Sequence, residues 1–107
     1  GLMIWPTSFL LCEYILKNRS IFQDKSVIEL GSGSAICGIS SALAGCKRSA
    51  VSDGNDQSVS LMQRNIELNI DKVKSFTKRD TIMEACLLEW GNTVHIEPYK
   101  RQFDAVI

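Results

Sequence analysis

One segment constrains the fold of this chain more than any other, because it joins a short apolar strand to a glycine turn. Residues 26–38 read Ser-Val-Ile-Glu-Leu-Gly-Ser-Gly-Ser-Ala-Ile-Cys-Gly. The apolar run through Val27 and Ile28 leads into Gly31 and Gly33, and such a turn lets a ligand approach the backbone where a Cβ would collide with it. Glu29 lies inside this strand. A carboxylate among apolar neighbours is costly unless it is hydrogen-bonded, so we expect Glu29 to hold a partner.

A second acidic residue, Asp53, follows the next short apolar run, about 20 residues after Gly33. A carboxylate at the end of the second strand of such a unit is placed to accept hydrogen bonds from ribose hydroxyls. The pattern therefore predicts a nucleoside-binding β-α-β unit. The third glycine of the dinucleotide fingerprint is replaced by Ile36, and the next glycine is Gly38, which argues against NAD or FAD.

Strand patterns alternate with helix patterns along most of the chain. This alternation predicts an α/β fold with a mostly parallel sheet and helices on both faces. The first predicted helix carries Phe9, Leu10, Tyr14 and Ile15 and ends at Asn18. The second runs from Ala35 to Ala44, with Gly45 as its C-cap. The third has Asp56 as its N-cap and runs to about Leu68. The predicted strands are 26–30, 48–52, 82–88 and 103–107, with a surface connection over 70–80 and a loop from Trp90.

Composition narrows the function classes. The chain has 107 residues, enough for one small domain, and its twelve basic residues balance twelve acidic ones. This balance argues against a nucleic-acid or membrane partner, and we expect a monomer in the cytoplasm, with the nucleus as a second location. The four cysteines form no Cys-x-x-Cys pair and accompany a single histidine, so buried free thiols are expected rather than a zinc site.

Several local sequences resemble one family, the seven-β-strand protein lysine methyltransferases often called family 16. Gly1 to Pro6 resembles its G-x-x-x-W-P opening motif, and Val27 to Gly33 is similar to its first cofactor motif. Leu88-Glu89-Trp90 resembles the family's L-x-W, and Phe103 to Ile107 resembles the start of its fourth strand. Residues 52–55 and the pair of asparagines at 65 and 69 are most like the calmodulin-lysine methyltransferase branch.

The resemblance implies a Rossmann-like class I methyltransferase fold that binds S-adenosylmethionine. By this resemblance, Glu29 and the backbone of residues 31–33 line the methionine and ribose part of the cofactor, and Asp53 binds the ribose hydroxyls. Trp90 packs near the adenine, and Trp5 approaches the cofactor from the N-terminal side. The implied cofactor site is Trp5, Glu29, Gly31, Ser32, Gly33, Asp53 and Trp90. Simpler roles stay open: Trp90 in the core, Trp5 stapling the first helix, and Asp53 capping a turn with Gly54. For Asn55 we favour a turn residue over a ligand.

The chain stops inside the predicted fourth strand. We therefore expect residues 1–107 to be the cofactor-binding part of a single methyltransferase domain, truncated in that strand, with little activity alone. In the resembled family, a D-x-x-Y-like segment that follows this strand helps to form the lysine channel, so we name no catalytic residue. The expected substrate is a protein lysine, with calmodulin as one candidate. The alternatives are a methyltransferase for a small molecule or another side chain, and a non-catalytic module that binds S-adenosylmethionine.

Overall fold

The computed structural model describes residues 3–107, and Gly1 and Leu2 of the opening motif lie outside the described residues. Helices and strands alternate through most of the chain. The helices are α1 (Pro6–Lys17), α2 (Arg19–Phe22), α3 (Ile36–Leu43), α4 (Asp56–Thr77) and α5 (Thr93–Ile96), which continues into a short 3-10 helix (Glu97–Tyr99). The strands are β1 (Ser26–Glu29), β2 (Arg48–Asp53), β3 (Ile82–Leu87) and β4 (Ala105–Val106).

The four strands form one sheet in the order β3-β2-β1-β4, and each neighbouring pair is parallel. Glu29 is paired with Val51, and Asp53 is paired with Leu87, so the carboxyl ends of β1, β2 and β3 meet at one edge. The predicted α/β fold with a parallel sheet is confirmed. Ligands of open parallel sheets bind at this edge.

The two faces of the sheet carry different cores. Val27, on one face of β1, packs in a cluster with residues of α1 and α3, whereas its neighbour Ile28 packs in a second cluster on the other face. Because successive strand residues point to opposite faces, this alternation separates the helices into two layers. The longer helices α1, α3 and α4 cover the first face, and the segment from Ile96 to Phe103 covers the second.

Helix α4 differs from the prediction at both ends. It runs to Thr77 rather than Leu68, so the predicted surface connection over 70–80 is largely helical. Val73, which is only 1% exposed, continues the buried stripe of Ile66 by two turns, and this burial outweighs the Lys- and Asp-rich composition around it. The N-cap is Asn55, not Asp56, because the Asn55 side chain accepts hydrogen bonds from the amides of Gln57 and Ser58.

Other elements match the expectation more closely. Helix α1 ends at Asn18 as predicted, although Phe9, Leu10 and Tyr14 are exposed and Ile15 is fully buried. All four cysteines are buried and free, as expected. Within residues 3–107, no helix combines the length and the apolar character that crossing a bilayer requires.

Candidate functional site

The loop that follows β1 forms the centre of the candidate site. We call residues 31–35 the glycine loop. Gly31 and Gly33 both have φ near +63°, in the left-handed region that a residue without a Cβ adopts most readily. The conformation of the loop therefore favours glycine at these two positions, in agreement with the sequence pattern. The loop turns the chain from β1 across the end of β2 into α3.

Backbone contacts tie the glycine loop to the end of β2. The Ser32 amide donates to the carbonyl of Ser52 at 2.8 Å, and the Gly33 amide donates to Oδ2 of Asp53 at 3.0 Å. Asp53 is half-buried and keeps its other carboxylate oxygen, Oδ1, outside this hydrogen bond. Asp53 therefore does more than cap a turn with Gly54, because its side chain also orients the glycine loop, which follows the neighbouring strand β1.

The Glu29 side chain connects the glycine loop to α3 through hydrogen bonds. The side chain is buried, and its Oε2 accepts hydrogen bonds from Ser32 Oγ and from the Gly38 amide, both at 2.8 Å. Burial raises the pKa of Glu29 to about 7, and the hydrogen bonds from Ser32 and Gly38 oppose that rise. The expectation that Glu29 holds a partner is confirmed, and the partners seen are groups of the protein itself. A contact between Glu29 and a cofactor stays a prediction.

Gly38 lets α3 pack closely against the sheet. A Cβ added there would lie 2.1 Å from Cγ1 of Val51 and 3.2 Å from both Glu29 Oε2 and Ser49 Oγ. Ser49 Oγ also donates to the Gly38 carbonyl at 2.8 Å. The glycine five positions after Gly33 therefore performs the close-packing role that the third glycine has in dinucleotide-binding loops.

Trp90 lies beside the start of the glycine loop, next to Gly31. Its side chain is 72% exposed, so the alternative of a core residue is wrong. A Cβ added to Gly31 would lie 3.5 Å from Cζ2 of Trp90, which places the indole against the start of the loop. Trp90 also lines an apolar cavity of about 440 Å³ together with Leu30, Leu88 and Tyr99. An indole in this position offers a flat apolar surface to a ligand at the sheet edge.

Trp5 is the seventh residue of the predicted site. It is the N-cap residue of α1, its side chain is 63% exposed, and it makes no capping hydrogen bond through that side chain. Helix α1 lies against α3, where Cys12 Sγ and Cys37 Sγ are 3.7 Å apart. The structure thus brings Glu29, the glycine loop, Asp53 and Trp90 together at the carboxyl end of the sheet. The role of Trp5 stays a prediction.

Two polar residues of the site were not identified from the sequence. Ser52 Oγ donates to the Glu29 carbonyl at 2.7 Å, and Asn65 Nδ2 donates to the Ser34 carbonyl at 2.8 Å. In the sequence, Ser52 and Asn65 are distinguished only as part of the likeness to one branch of a family. A physical signal was available, since Asn65 directly precedes the buried Ile66 on α4 and lies at the border of its apolar stripe.

Comparisons with known proteins agree with this geometry. A family described as lysine methyltransferase matches residues 1–107. The calmodulin-lysine N-methyltransferase of Arabidopsis thaliana is 33% identical over 104 residues, which are 96% of this chain and 32% of that protein. The protein-lysine N-methyltransferase EEF2KMT of Mus musculus is 28% identical over 111 residues, which are 100% of this chain and 33% of that protein.

Solved structures show the same fold at lower identity. Protein arginine methyltransferase 10 of Arabidopsis thaliana superposes with a TM-score of 0.57 and 23% identity, over 70% of this chain and 19% of that one. A ribosomal protein L11 methylase from Lactobacillus delbrueckii gives 0.56 and 19% identity, over 77% of this chain and 38% of that one. The chain spans about a third of the length of the curated relatives that it matches. With a family match that covers every residue, the chain belongs to the lysine methyltransferase family.

Proposed function

We propose that residues 1–107 form the S-adenosylmethionine-binding part of an enzyme that methylates a lysine side chain of a protein. Membership of the family implies S-adenosylmethionine as the methyl donor. The observation that carries the proposal is the Asp53 carboxylate, which fixes the Gly33 amide with one oxygen and keeps the other available at the carboxyl end of β2.

The residues at this edge suit that cofactor. A nucleoside with an amino-acid tail needs an acceptor for its ribose hydroxyls, a backbone that it can approach closely, and an apolar surface for its base. Asp53 supplies the acceptor, and the left-handed Gly31 and Gly33 supply backbone without a Cβ. Trp90 supplies a largely exposed indole beside the loop.

Each residue of the site then has a role. Gly31, Ser32 and Gly33 would line the methionine and ribose part of the cofactor, and Asp53 would bind the ribose hydroxyls. Trp90 would contact the adenine, and Trp5 would approach from the start of α1. Glu29 would act mainly by holding Ser32 and the start of α3 in place, because its carboxylate accepts hydrogen bonds from both.

The chemistry asks little of these residues beyond binding and orientation. When bound, S-adenosylmethionine supplies a methyl group on a sulfonium, which passes to the lysine Nζ while the sulfur leaves as a neutral thioether. The glycine loop and Asp53 would fix the cofactor so that the attacking atom can line up with the methyl group. The acceptor lysine, with an ordinary pKa of about 10.4, must lose its proton first. No residue of this chain is assigned to that deprotonation.

The names of the relatives support a protein lysine as the acceptor. Their printed names describe enzymes for calmodulin and for protein lysines more generally, and the sequence resembles the calmodulin branch at residues 52–55 and at the two asparagines of α4. We therefore propose a protein lysine as the acceptor, with calmodulin as the first substrate to test. We further propose a monomer in the cytoplasm or nucleus. The balance of twelve basic and twelve acidic residues supports the proposed absence of a nucleic-acid or membrane partner.

Cofactor binding is tested by calorimetric titration of S-adenosylhomocysteine into the full-length protein that contains residues 1–107. We expect micromolar binding, no binding of NAD, and a loss of at least about tenfold in affinity for Asp53→Ala, because a charged hydrogen-bond acceptor is removed. Asp56→Ala is the matched control, since Asp56 is exposed on the first turn of α4 and should bind normally. A folded protein that binds no S-adenosylhomocysteine would overturn the proposal.

Lysine transfer is tested separately with radiolabelled S-adenosylmethionine. Calmodulin and a whole-protein extract serve as acceptors for the full-length protein, and mass spectrometry locates the methylated side chain. Methylation of lysine supports the proposed acceptor class. Binding of S-adenosylhomocysteine combined with methylation of a small molecule, or of another side chain, would keep the cofactor assignment and refute the lysine acceptor.

A further inference from the structure

The last residue of the glycine loop, Ala35, has an unusual backbone conformation. Ala35 has φ 70° and ψ 14°, in the left-handed region that is disfavoured for a residue with a Cβ. It is fully buried and packs with Val51, Met62 and Ile66. Ala35 also immediately precedes α3, so its conformation decides the direction in which the loop enters that helix.

A peptide flip would relieve this conformation. The peptide unit between Ser34 and Ala35 is planar and moves as one body, so a half-turn changes the sign of φ at Ala35 and reverses the Ser34 carbonyl. The flipped loop would place Ala35 at a favourable negative φ. It would also turn the loop amide of Ala35 to the opposite side, and so present a different surface to a ligand.

Asn65 opposes that flip. Its Nδ2 donates to the Ser34 carbonyl at 2.8 Å, so the hydrogen bond exists only while this carbonyl faces α4. One turn later on α4, Asn69 Nδ2 donates to the backbone carbonyl of Asn65 at 2.7 Å, a bond that stays within α4 and leaves the Asn65 side chain free to reach the loop. The two partners are far apart in sequence, and α4 thus fixes a loop that it does not adjoin along the chain.

We propose that Asn65 is a positioning residue for the cofactor: it selects the glycine-loop conformation that binds S-adenosylmethionine. Asn65 acts through the Ser34 carbonyl and needs no contact with the ligand. The inference rests on the proposed function in one respect, which is that the glycine loop is the cofactor loop. It adds a residue from outside the loop and from outside the sheet edge.

The test compares four variants of the full-length protein by titration with S-adenosylhomocysteine. Asn65→Ala removes the donor, and Asn65→Asp keeps the shape but presents a carboxylate to the Ser34 carbonyl. Both should weaken binding by at least about fivefold, the factor that one neutral hydrogen bond corresponds to. Asn69→Ala is the matched control, because it removes a hydrogen bond of the same kind within α4 that does not reach the loop, and it should bind normally.

The fourth variant separates positioning from general stability. In Asn65→Ala/Ala35→Gly, glycine accepts positive φ without penalty, so the loop no longer needs the carbonyl to be held. This double variant should recover most of the lost affinity, although it does not restore the hydrogen bond. Circular dichroism confirms that each variant is folded. An Asn65→Ala protein that is folded and binds as the wild type does, or a double variant that binds no better than Asn65→Ala, would overturn the inference.

Hydrogen exchange of the ligand-free protein supplies a readout that does not depend on the cofactor. Asn65→Ala should speed exchange at the amides of Ala35 and Ile36, whereas Asn69→Ala should not. If the wild type fails to bind S-adenosylhomocysteine while this exchange pattern holds, the proposed function fails and the control of the loop by Asn65 stands. Unchanged exchange in Asn65→Ala would refute that control directly.

Discussion

Replacing Gly38 with alanine tests how closely α3 must approach the sheet. The new Cβ would lie 2.1 Å from Val51 Cγ1, whereas two carbon atoms in good contact are about 3.5–4.0 Å apart. One of them must therefore move by roughly 1.5 Å. Val51 is fully buried and packs with Ala35, Met62 and Ile66, so the helix rather than the strand has to shift.

That shift has a calculable cost. Overpacking a core costs about 1–3 kcal/mol, and weakening a buried hydrogen bond, such as Gly38 to Glu29 or Ser49 to Gly38, costs about 1–3 kcal/mol more. Alanine recovers about 1 kcal/mol through its better helix propensity. We therefore expect Gly38→Ala to lower the free energy of unfolding by about 1–5 kcal/mol, a large share of the roughly 5–15 kcal/mol of a typical protein.

The assay is urea unfolding of the full-length protein followed by circular dichroism. Gly54→Ala is the matched control, because a Cβ there would meet its nearest atoms at an ordinary 3.7 Å, and it should change stability little. Val51→Ala removes the colliding methyl group, so the double variant Gly38→Ala/Val51→Ala should be at least about 1 kcal/mol more stable than the sum of the single effects. A Gly38→Ala protein as stable as the wild type, or strictly additive effects, would refute the reasoning.

Three further predictions concern the same edge of the molecule. The pKa of Glu29 rises from 4.5 to about 7 on folding, so its stabilising contribution is fully present below pH 4.5 and is lost as the pH rises through about 7. The loss of unfolding free energy amounts to about 3 kcal/mol. Urea unfolding at pH 5 and pH 8 should show this loss in the wild type but not in Glu29→Gln. Parallel pH profiles of the two proteins would contradict the reasoning. Gly31→Ala should weaken S-adenosylhomocysteine binding and lower stability by about 1–2 kcal/mol, because the φ of residue 31 is +63°. The new Cβ itself would make only an ordinary contact with Trp90, at 3.5 Å. Calorimetry measures the binding and urea unfolding measures the stability, and a variant unchanged in both would count against backbone strain at this position. Asn55→Ala should lower stability by about 1 kcal/mol through loss of the N-cap of α4, whereas Asn55→Asp should keep it, and equal losses in both would rule out capping.

Local patterns were sufficient to predict the fold and to bring together the residues at the centre of the candidate site. Val27, Ile28 and the paired glycines lie next to one another in the chain, and a strand that ends in a glycine turn needs no distant information. Asp53 was also predictable, because parallel strands bring their carboxyl ends to the same edge and the residue directly ends β2.

Features that depend on tertiary packing were not predictable in this way. Helix α4 extends to Thr77 because the buried Val73 compensates for a polar stretch, and that burial is visible only once the sheet is in place. The hydrogen bond from Asn65 to Ser34 joins segments 31 residues apart, so a place at the border of an apolar stripe does not identify the partner of Asn65. The direction of the Glu29 side chain, inward to Gly38, likewise depends on how closely α3 packs.

The strand order sets a sequence of events during folding. Strand β1 pairs with β2 after a connection of roughly 20 residues, but its other edge pairs with β4, where Val27 meets Ala105. Closing the longer connection costs about 1 kcal/mol more in chain entropy, so the β1–β2 pair should form first. During synthesis on the ribosome, the free edge of β1 must wait until residues 105–107 have emerged. An unpaired edge of this kind is a template for wrong pairing, so the nascent chain is exposed to aggregation during this interval.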